Sequence, residues 1–197
     1  MNIEVRKEKK GDYRKVEEIT RAAFYREERI EKLGVGCTEH YMVHSLRKKD
    51  GIAELSLVAE INGEIVGYII YSNAHIETPE GKKINVLNFG PLSVLPKFQK
   101  KGVGSALMEY SIELAKGMGY GAILFFGHPT YYPRFGFVQA SEFGITTSDG
   151  DNFPAFMAME LKKDFFNGLK GRFIEAPIYD EKAHAKAAAI FDRDFTK

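Results

Sequence analysis

Two apolar runs meet at an Asn-Gly pair in "LSLVAEINGEIVGYIIYSNAHIE". This stretch constrains the fold more than any other. A two-residue type I′ turn needs positive φ at both central positions, and Asn62-Gly63 supplies residues that tolerate it. Residues 55–76 are therefore read as an antiparallel hairpin. Around it, "IEVRKE" reads as a first strand. "GDYRKVEEITRAAF" is a helix with Asp12 as N-cap and Val16, Ile19 and Ala23 on one face. "CTEHYMVHSLRKKDG" is a second helix, capped by Thr38 and closed by Gly51. "INVLNFGPLSV" is a strand with a bulge at Gly90-Pro91. Residues 103–117 form a helix whose stripe is Val103, Leu107, Tyr110, Leu114 and Met118. "GAILFFG", apolar on both faces, is a central strand. "TYYPRFGF" is a short helix or turn stopped by Gly136, and "FVQASEFGIT" and "PAFMAMEL" are two late strands. The order β-α-α-β-β-β-α-β-α-β-β describes a single α/β domain around a mixed sheet, over residues 1–161. Residues 162–197 form a C-terminal extension with a strand at "GRFIEA" and a helix around "EKAHAKAAAIF". The extension packs on the domain or on a partner chain, which leaves a homodimer open.

Composition narrows the class. With 28 Lys and Arg against 27 Asp and Glu, the net charge is +1, so no global field points to nucleic acid. Cys37 is the only cysteine, and the first residues hold no apolar core of signal-peptide length. No apolar run approaches the roughly 20 residues that span a bilayer. A cytoplasmic protein without membrane attachment is expected.

The chemistry concentrates in "LPKFQKKGVGSALM", where a strand hands over to a helix. A helix N-terminus exposes unpaired N–H groups and about half a positive charge. Glycines let an anion approach this backbone closely. Gln99, Lys100, Lys101, Gly102, Val103 and Gly104 form such a nest. Ser105 adds a hydroxyl, and the two lysines steer a polyanion. The ligand class is a pyrophosphate. A Walker loop fails, because Gly104 is followed by Ser-Ala-Leu. A GxGxxG fingerprint fails at Leu107.

Gln99-Lys100-Lys101-Gly102-Val103-Gly104 resembles the acetyl-CoA motif, Gln/Arg-x-x-Gly-x-Gly/Ala, of the GNAT superfamily of N-acetyltransferases. Tyr132 with Gly136 and Phe137, in "YYPRFGF", matches a second signature of that superfamily. The resemblance covers roughly residues 3–161. It implies a single GNAT-like domain with a mixed, mostly antiparallel sheet of about seven strands flanked by helices and splayed between strands 4 and 5. It also implies acetyl-CoA as co-substrate, with no metal, and direct acetyl transfer to a small-molecule or peptide amine. The pantetheine arm would run along Leu92, Ser93 and Val94, and the Leu92 N–H would stabilise the oxyanion. Tyr132 would protonate or hydrogen-bond the leaving thiolate, with Tyr131 as its alternate and as a CoA contact. The family's usual Asn is replaced by Gly127-His128-Pro129. His128 is therefore open between a CoA contact, a base and a helix cap. Asn88 is open between holding a water at the acceptor site and satisfying the backbone beside the bulge. The general base is unassigned. A non-catalytic CoA-binding sensor or scaffold of the same fold is the alternative.

Three further groups have two readings each. Cys37, His40 and His44 have metal-like spacing, but no second cluster offers a fourth ligand. His40 and His44 might equally border the acceptor cleft of a GNAT fold. Arg21, Arg26 and Arg29 among glutamates are either a solvated, ion-paired helix end or a rim for a polar acceptor.

Overall fold

The computed structural model describes residues 2–196. In chain order these hold β1 (Glu4–Lys7), α1 (Tyr13–Phe24), α2 (Ile30–Leu33), α3 (Glu39–Lys48), β2 (Gly51–Ile61), β3 (Glu64–Glu77) and β4 (Lys83–Val94). Then follow α4 (Val103–Gly117), β5 (Ala122–Phe126), β6 (Val138–Gln139), β7 (Ile145–Thr146), β8 (Phe156–Glu160), β9 (Gly171–Ile174) and α5 (Glu181–Asp192). The chain makes two compact units. The first comprises residues up to Ile70, Pro91–Tyr110 and the chain from Pro177; the second comprises Tyr71–Gly90 and Ser111–Ala176. β3, β4 and α4 contribute residues to both.

In the first unit β1 pairs antiparallel with β2, Val5 opposite Ala59. The turn from β2 to β3 is the expected one, with Asn62 at φ 51° and Gly63 at φ 77°. The helices bury Val16, Ile19, Met42, Val43 and Leu46 against Val58, Ile65, Tyr68 and Ile70. Asp12 occupies the N-cap of α1 but does not cap it with its side chain. Its carboxylate instead holds Arg6 at 2.7 Å and the Lys9 N–H at 2.7 Å. Thr38 likewise stands at the N-cap of α3 without a side-chain cap bond. Gly51 does not close α3. The helix ends at Lys48, Asp50 turns the chain at φ 70°, and Gly51 opens β2. Gly51 is needed there for another reason: a Cβ would sit 2.4 Å from the Leu46 carbonyl oxygen.

In the second unit β9, β3, β4, β5, β8 and β6 follow one another, with β7 beside β9. The sheet is mixed: β4 with β5 and β7 with β9 run parallel, while β5–β8, β6–β8 and β3–β9 run antiparallel. The β4–β5 ladder holds at one register pair, Leu87 with Ile123. Beyond it β5 runs on to Phe126 and β4 through Gly90, whose φ is 145°. The sheet is splayed here. Alternation sends Val86, Leu124, Phe156 and Phe173 into a core on one face. Phe89, Phe125, Tyr71 and Phe137 form an aromatic cluster on the other.

Two elements differ from the sequence reading. The stripe of α4 follows Val103, Leu107, Met108, Ile112 and Ala115, while Tyr110 and Met118 are exposed. The read stripe and the buried face share Val103 and Leu107, and the buried face turns from there toward Met108, Ile112 and Ala115. "FVQASEFGIT" is two short strands separated by a 3₁₀ turn over Ala140–Phe143. Gly144, at φ 72°, ends that turn.

In the first unit α5 packs on α3. His40 is fully buried, with the rings of Phe191 and Phe195 at 5.2 and 5.0 Å. Its Nε2 lies 3.0 Å from Asp192 Oδ1, yet neither ring nitrogen makes a hydrogen bond of good geometry. Burial pushes the imidazole well below its ordinary value of 6.5. A base with a depressed folded pKa binds its proton first in the unfolded chain, so its contribution is lost as pH falls below 6.5. The melting temperature of the wild type should drop between pH 7.5 and 5. In His40→Leu that drop should be smaller, as calorimetry at both pH values would show.

Candidate active site

The start of α4 belongs to the first unit. Lys100 and Gly102 both lie in the left-handed region, at φ 59° and 88°. Lys100 adopts it at a cost of roughly 1 kcal/mol, since its Cβ crowds the following carbonyl. At Gly102 space is not the issue, because a Cβ would meet only Ile3 Cδ1, at 3.7 Å. The backbone conformation demands glycine there. Alternating backbone hands of this kind turn successive N–H groups toward one concavity. The side chains leave it open. Gln99 Nε2 donates to the Val94 carbonyl at 3.2 Å, and Lys97 pairs with Glu64 at 2.9 Å. Lys100 and Lys101 are exposed. Val103 is buried as the first residue of α4, and Gly104 and Ser105 are half-buried beside it. Gly67 sets how closely the helix approaches β3, since a Cβ there would stand 2.7 Å from Val103 Cγ1.

On β4 in the same unit, Leu92 and Val94 are half-buried and Ser93 is fully buried. The Ser93 hydroxyl donates to Thr20 Oγ1 at 3.0 Å. Its side chain is committed to the interior.

In the second unit Tyr132 opens the 3₁₀ turn Tyr132–Phe135, which Gly136 ends at φ 95°. Its ring packs on Phe125 at 4.5 Å, Tyr131 at 5.0 Å, Phe89 at 5.7 Å and Phe137 at 6.1 Å. Burial, reinforced by Tyr131, pushes the phenol above its ordinary value, so it stays a protonated donor. No hydrogen bond to its hydroxyl occurs among the described residues. Tyr131 stacks edge-on with Phe135 and carries Arg134 over its face at 4.6 Å. His128 is exposed, and its Nδ1 lies 3.0 Å from Thr130 Oγ1 and 3.4 Å from the Thr130 N–H, as in a local turn cap.

Asn88 is buried on β4. Its Nδ2 donates to Glu175 Oε2 at 2.9 Å. The sequence reading missed Glu175. Burial pushes its carboxyl up to about 7, opposed only in part by the Asn88 bond. The signal was present in "GRFIEA": an acidic residue stands at the same parity as buried Phe173 on a short strand.

In the first unit Arg21 binds Asp192 at 2.6 Å, and Arg29 binds Glu39 at 2.8 Å and Glu181 at 3.0 Å. Both arginines are inward ion pairs rather than a free rim. Arg26 donates to the Tyr25 carbonyl. His44 Nδ1 is 3.1 Å from Glu17, and burial drives the Cys37 thiol up to about 12. Among the described residues Cys37, His40 and His44 belong to no cluster of three or more side chains that could hold a metal ion. Among the described residues no helix is long and apolar enough to cross a membrane.

Residues 52–139 match the acetyltransferase (GNAT) domain model. The chain is 30% identical over 134 residues to the uncharacterized N-acetyltransferase YhbS of Escherichia coli K12, covering 68% of this chain and 78% of that protein. It is 38% identical over 84 residues to YjhQ of the same organism, covering 42% of this chain and 45% of that protein. A crystal structure of Escherichia coli YhbS with CoA superposes with a TM-score of 0.78 at 23% identity, over 91% of this chain and 93% of that one. A GNAT acetyltransferase of Brucella melitensis, crystallised with acetyl-CoA, gives 0.69 at 26% identity, over 91% and 99%. The chain belongs to the GNAT family of acetyltransferases, and it is an N-acetyltransferase.

Gly127 fixes the tyrosine's position, because a Cβ there would fall 2.5 Å from Tyr132 Cε2 and 2.3 Å from Phe125 Cε2. Gly127→Ala should therefore displace the Tyr132 ring and cost about 1–3 kcal/mol of stability. Denaturant unfolding would measure the loss, and the aromatic NMR signals of Tyr132 would report the shift.

Proposed function

We propose that the protein transfers an acetyl group from acetyl-CoA to a primary amine by direct attack, with donor and acceptor bound together. The observation that carries this reading is the pair of left-handed residues, Lys100 and Gly102, at the start of a 15-residue helix. Such a loop presents amides and a positive dipole end to a pyrophosphate. The relatives crystallised with CoA and acetyl-CoA support the choice of ligand.

Gln99–Ser105 take the pyrophosphate, chiefly through backbone N–H groups. Lys100 and Lys101 are exposed and supply attraction at a distance. Leu92, Ser93 and Val94 offer their backbone to the pantetheine arm. The Leu92 N–H donates to the oxyanion as the amine nitrogen bonds to the thioester carbon, an interaction worth about 3 kcal/mol. When the C–S bond breaks, the Tyr132 hydroxyl hydrogen-bonds the leaving sulfur. With its phenol raised by burial, Tyr132 acts as a donor at every working pH rather than as a reservoir of protons. The acceptor must arrive with a neutral nitrogen, and an alkylamine of pKa about 10 needs a proton acceptor to reach that form.

Calorimetric titration with acetyl-CoA should give micromolar binding, about −8 kcal/mol. Gly102→Glu, which forces a side chain to φ 88° and sets a carboxylate in the nest, should weaken it by at least about tenfold. Tyr132→Phe should leave that affinity nearly unchanged and lower kcat by about tenfold to a hundredfold. Equal turnover by the two proteins would remove Tyr132 from the reaction.

A further inference from the structure

Glu175 lies outside the segment that matches the family domain, 52–139, so no role comes to it from that match. In the second unit it follows directly on β9, which pairs with β3: His75 stands opposite Ile174 and Ile76 opposite Phe173. Asn88 reaches it from β4 at 2.9 Å. A half-buried carboxyl held by a neutral amide, with no cation beside it, is a costly arrangement for a purely structural element.

The charged neighbours do not explain it. On β3 His75 and Glu77, on β9 Arg172 and on β4 Lys83 all stand at the alternate parity, directed to the other face. His75 indeed responds to Lys83 and Glu77, and not to Glu175. Glu175 itself is governed by burial and Asn88 alone.

Its location is informative. Asn88 and Phe89 are consecutive on β4 and point to opposite faces. Phe89 touches Tyr132 on one face, at 5.7 Å, while Asn88 holds Glu175 on the other. Both lie just past Leu87, where the β4–β5 ladder ends and the two strands part. On the Glu175 face, Phe126 and Phe153 are 41% and 45% exposed and stack on each other at 5.6 Å, with an interplanar angle of 17°. Phe126 also meets Phe173, two residues before Glu175, at 6.1 Å. A carboxylate on the same sheet face as an exposed aromatic pair, with Phe173 between them in sequence and contact, matches a ligand with an ammonium head and an apolar body.

We propose that Glu175, positioned by Asn88, receives the ammonium group of the acceptor and takes its proton, while Phe126 and Phe153 hold the acceptor's carbon body. The acceptor class is an apolar primary amine. This rests on the acetyltransferase reading above. The proton passes from R-NH₃⁺ to the Glu175 carboxylate, leaving a neutral amine and a carboxylic acid. The nitrogen bonds to the thioester carbon, its second proton is lost to solvent, and the C–S bond breaks with its electron pair leaving on sulfur as a thiolate, which takes a proton from solvent to become the thiol. Glu175 then returns its proton to solvent.

The test follows thiol release from acetyl-CoA with 2-phenylethylamine as probe and spermidine as polar comparison, from pH 6 to 9.5. Wild type, Glu175→Gln and Phe153→Ala are compared, and acetyl-CoA affinity is measured by calorimetry for each. Glutamine keeps an acceptor for Asn88, so the fold is preserved while the base is removed. In the wild type, kcat/KM for 2-phenylethylamine should rise through pH 7 and exceed that for spermidine. Glu175→Gln should lower kcat at least tenfold, lose the limb near pH 7 and bind acetyl-CoA as before. Phe153→Ala should raise KM for 2-phenylethylamine severalfold with kcat little changed. A Glu175→Gln protein with wild-type rate and pH profile overturns the proposal. So does a wild type that binds acetyl-CoA but is not accelerated by 2-phenylethylamine, or prefers spermidine. A wild type that binds no acetyl-CoA overturns the acetyltransferase reading itself.

Discussion

The parting of β4 from β5 is the constraint on which the second unit turns. A parallel ladder normally continues along both strands, because each unpaired backbone group inside a sheet costs free energy. Here it holds at Leu87–Ile123, and Gly90 then takes a φ of 145°, which a residue with a Cβ rarely adopts. Pro91 follows and has no N–H to give. The residues on the two faces of β4 there meet two different environments.

Those environments explain the contrast between the two ionisable groups there. Tyr132 sits among aromatic rings and is shifted upward as an acid, which keeps it a donor. Glu175 is also shifted upward by burial, and its ordinary value is low enough that the shift brings it to about 7. The same physical cause therefore produces a permanent donor in one case and a group that exchanges protons near neutrality in the other. The first unit contributes a different resource, a helix start whose left-handed Lys100 and Gly102 present backbone rather than side chains. Lys100 and Lys101 themselves remain exposed.

Much of this was legible in the residues. Asn62-Gly63 required its turn, and the run from Gln99 to Ser105 required a helix start, which falls at Val103. Tyr132 with Gly136 and Phe137 marked the aromatic turn. Errors arose where several partners compete. Gly51 looked like a helix stop, but its glycine is demanded by the Leu46 carbonyl across the corner. Tyr110 and Met118 fit a stripe by spacing, yet the buried face of α4 rotates away from them. Arg21 and Arg29 read as an ion-paired helix end or a charged rim, and the ion pairs they make are with Asp192, Glu39 and Glu181 and draw both inward.

By itself the sequence determined the local matters: where strands and helices form, and which turns need glycine. These follow from backbone sterics and periodicity, which act over a few residues. The tertiary structure alone decided that Glu175 meets Asn88, 87 residues earlier in the chain. Its basicity comes from that burial and from the absence of any cation nearby. No local pattern encodes such a property, because a carboxyl's pKa is set by everything folded around it and not by its neighbours in sequence.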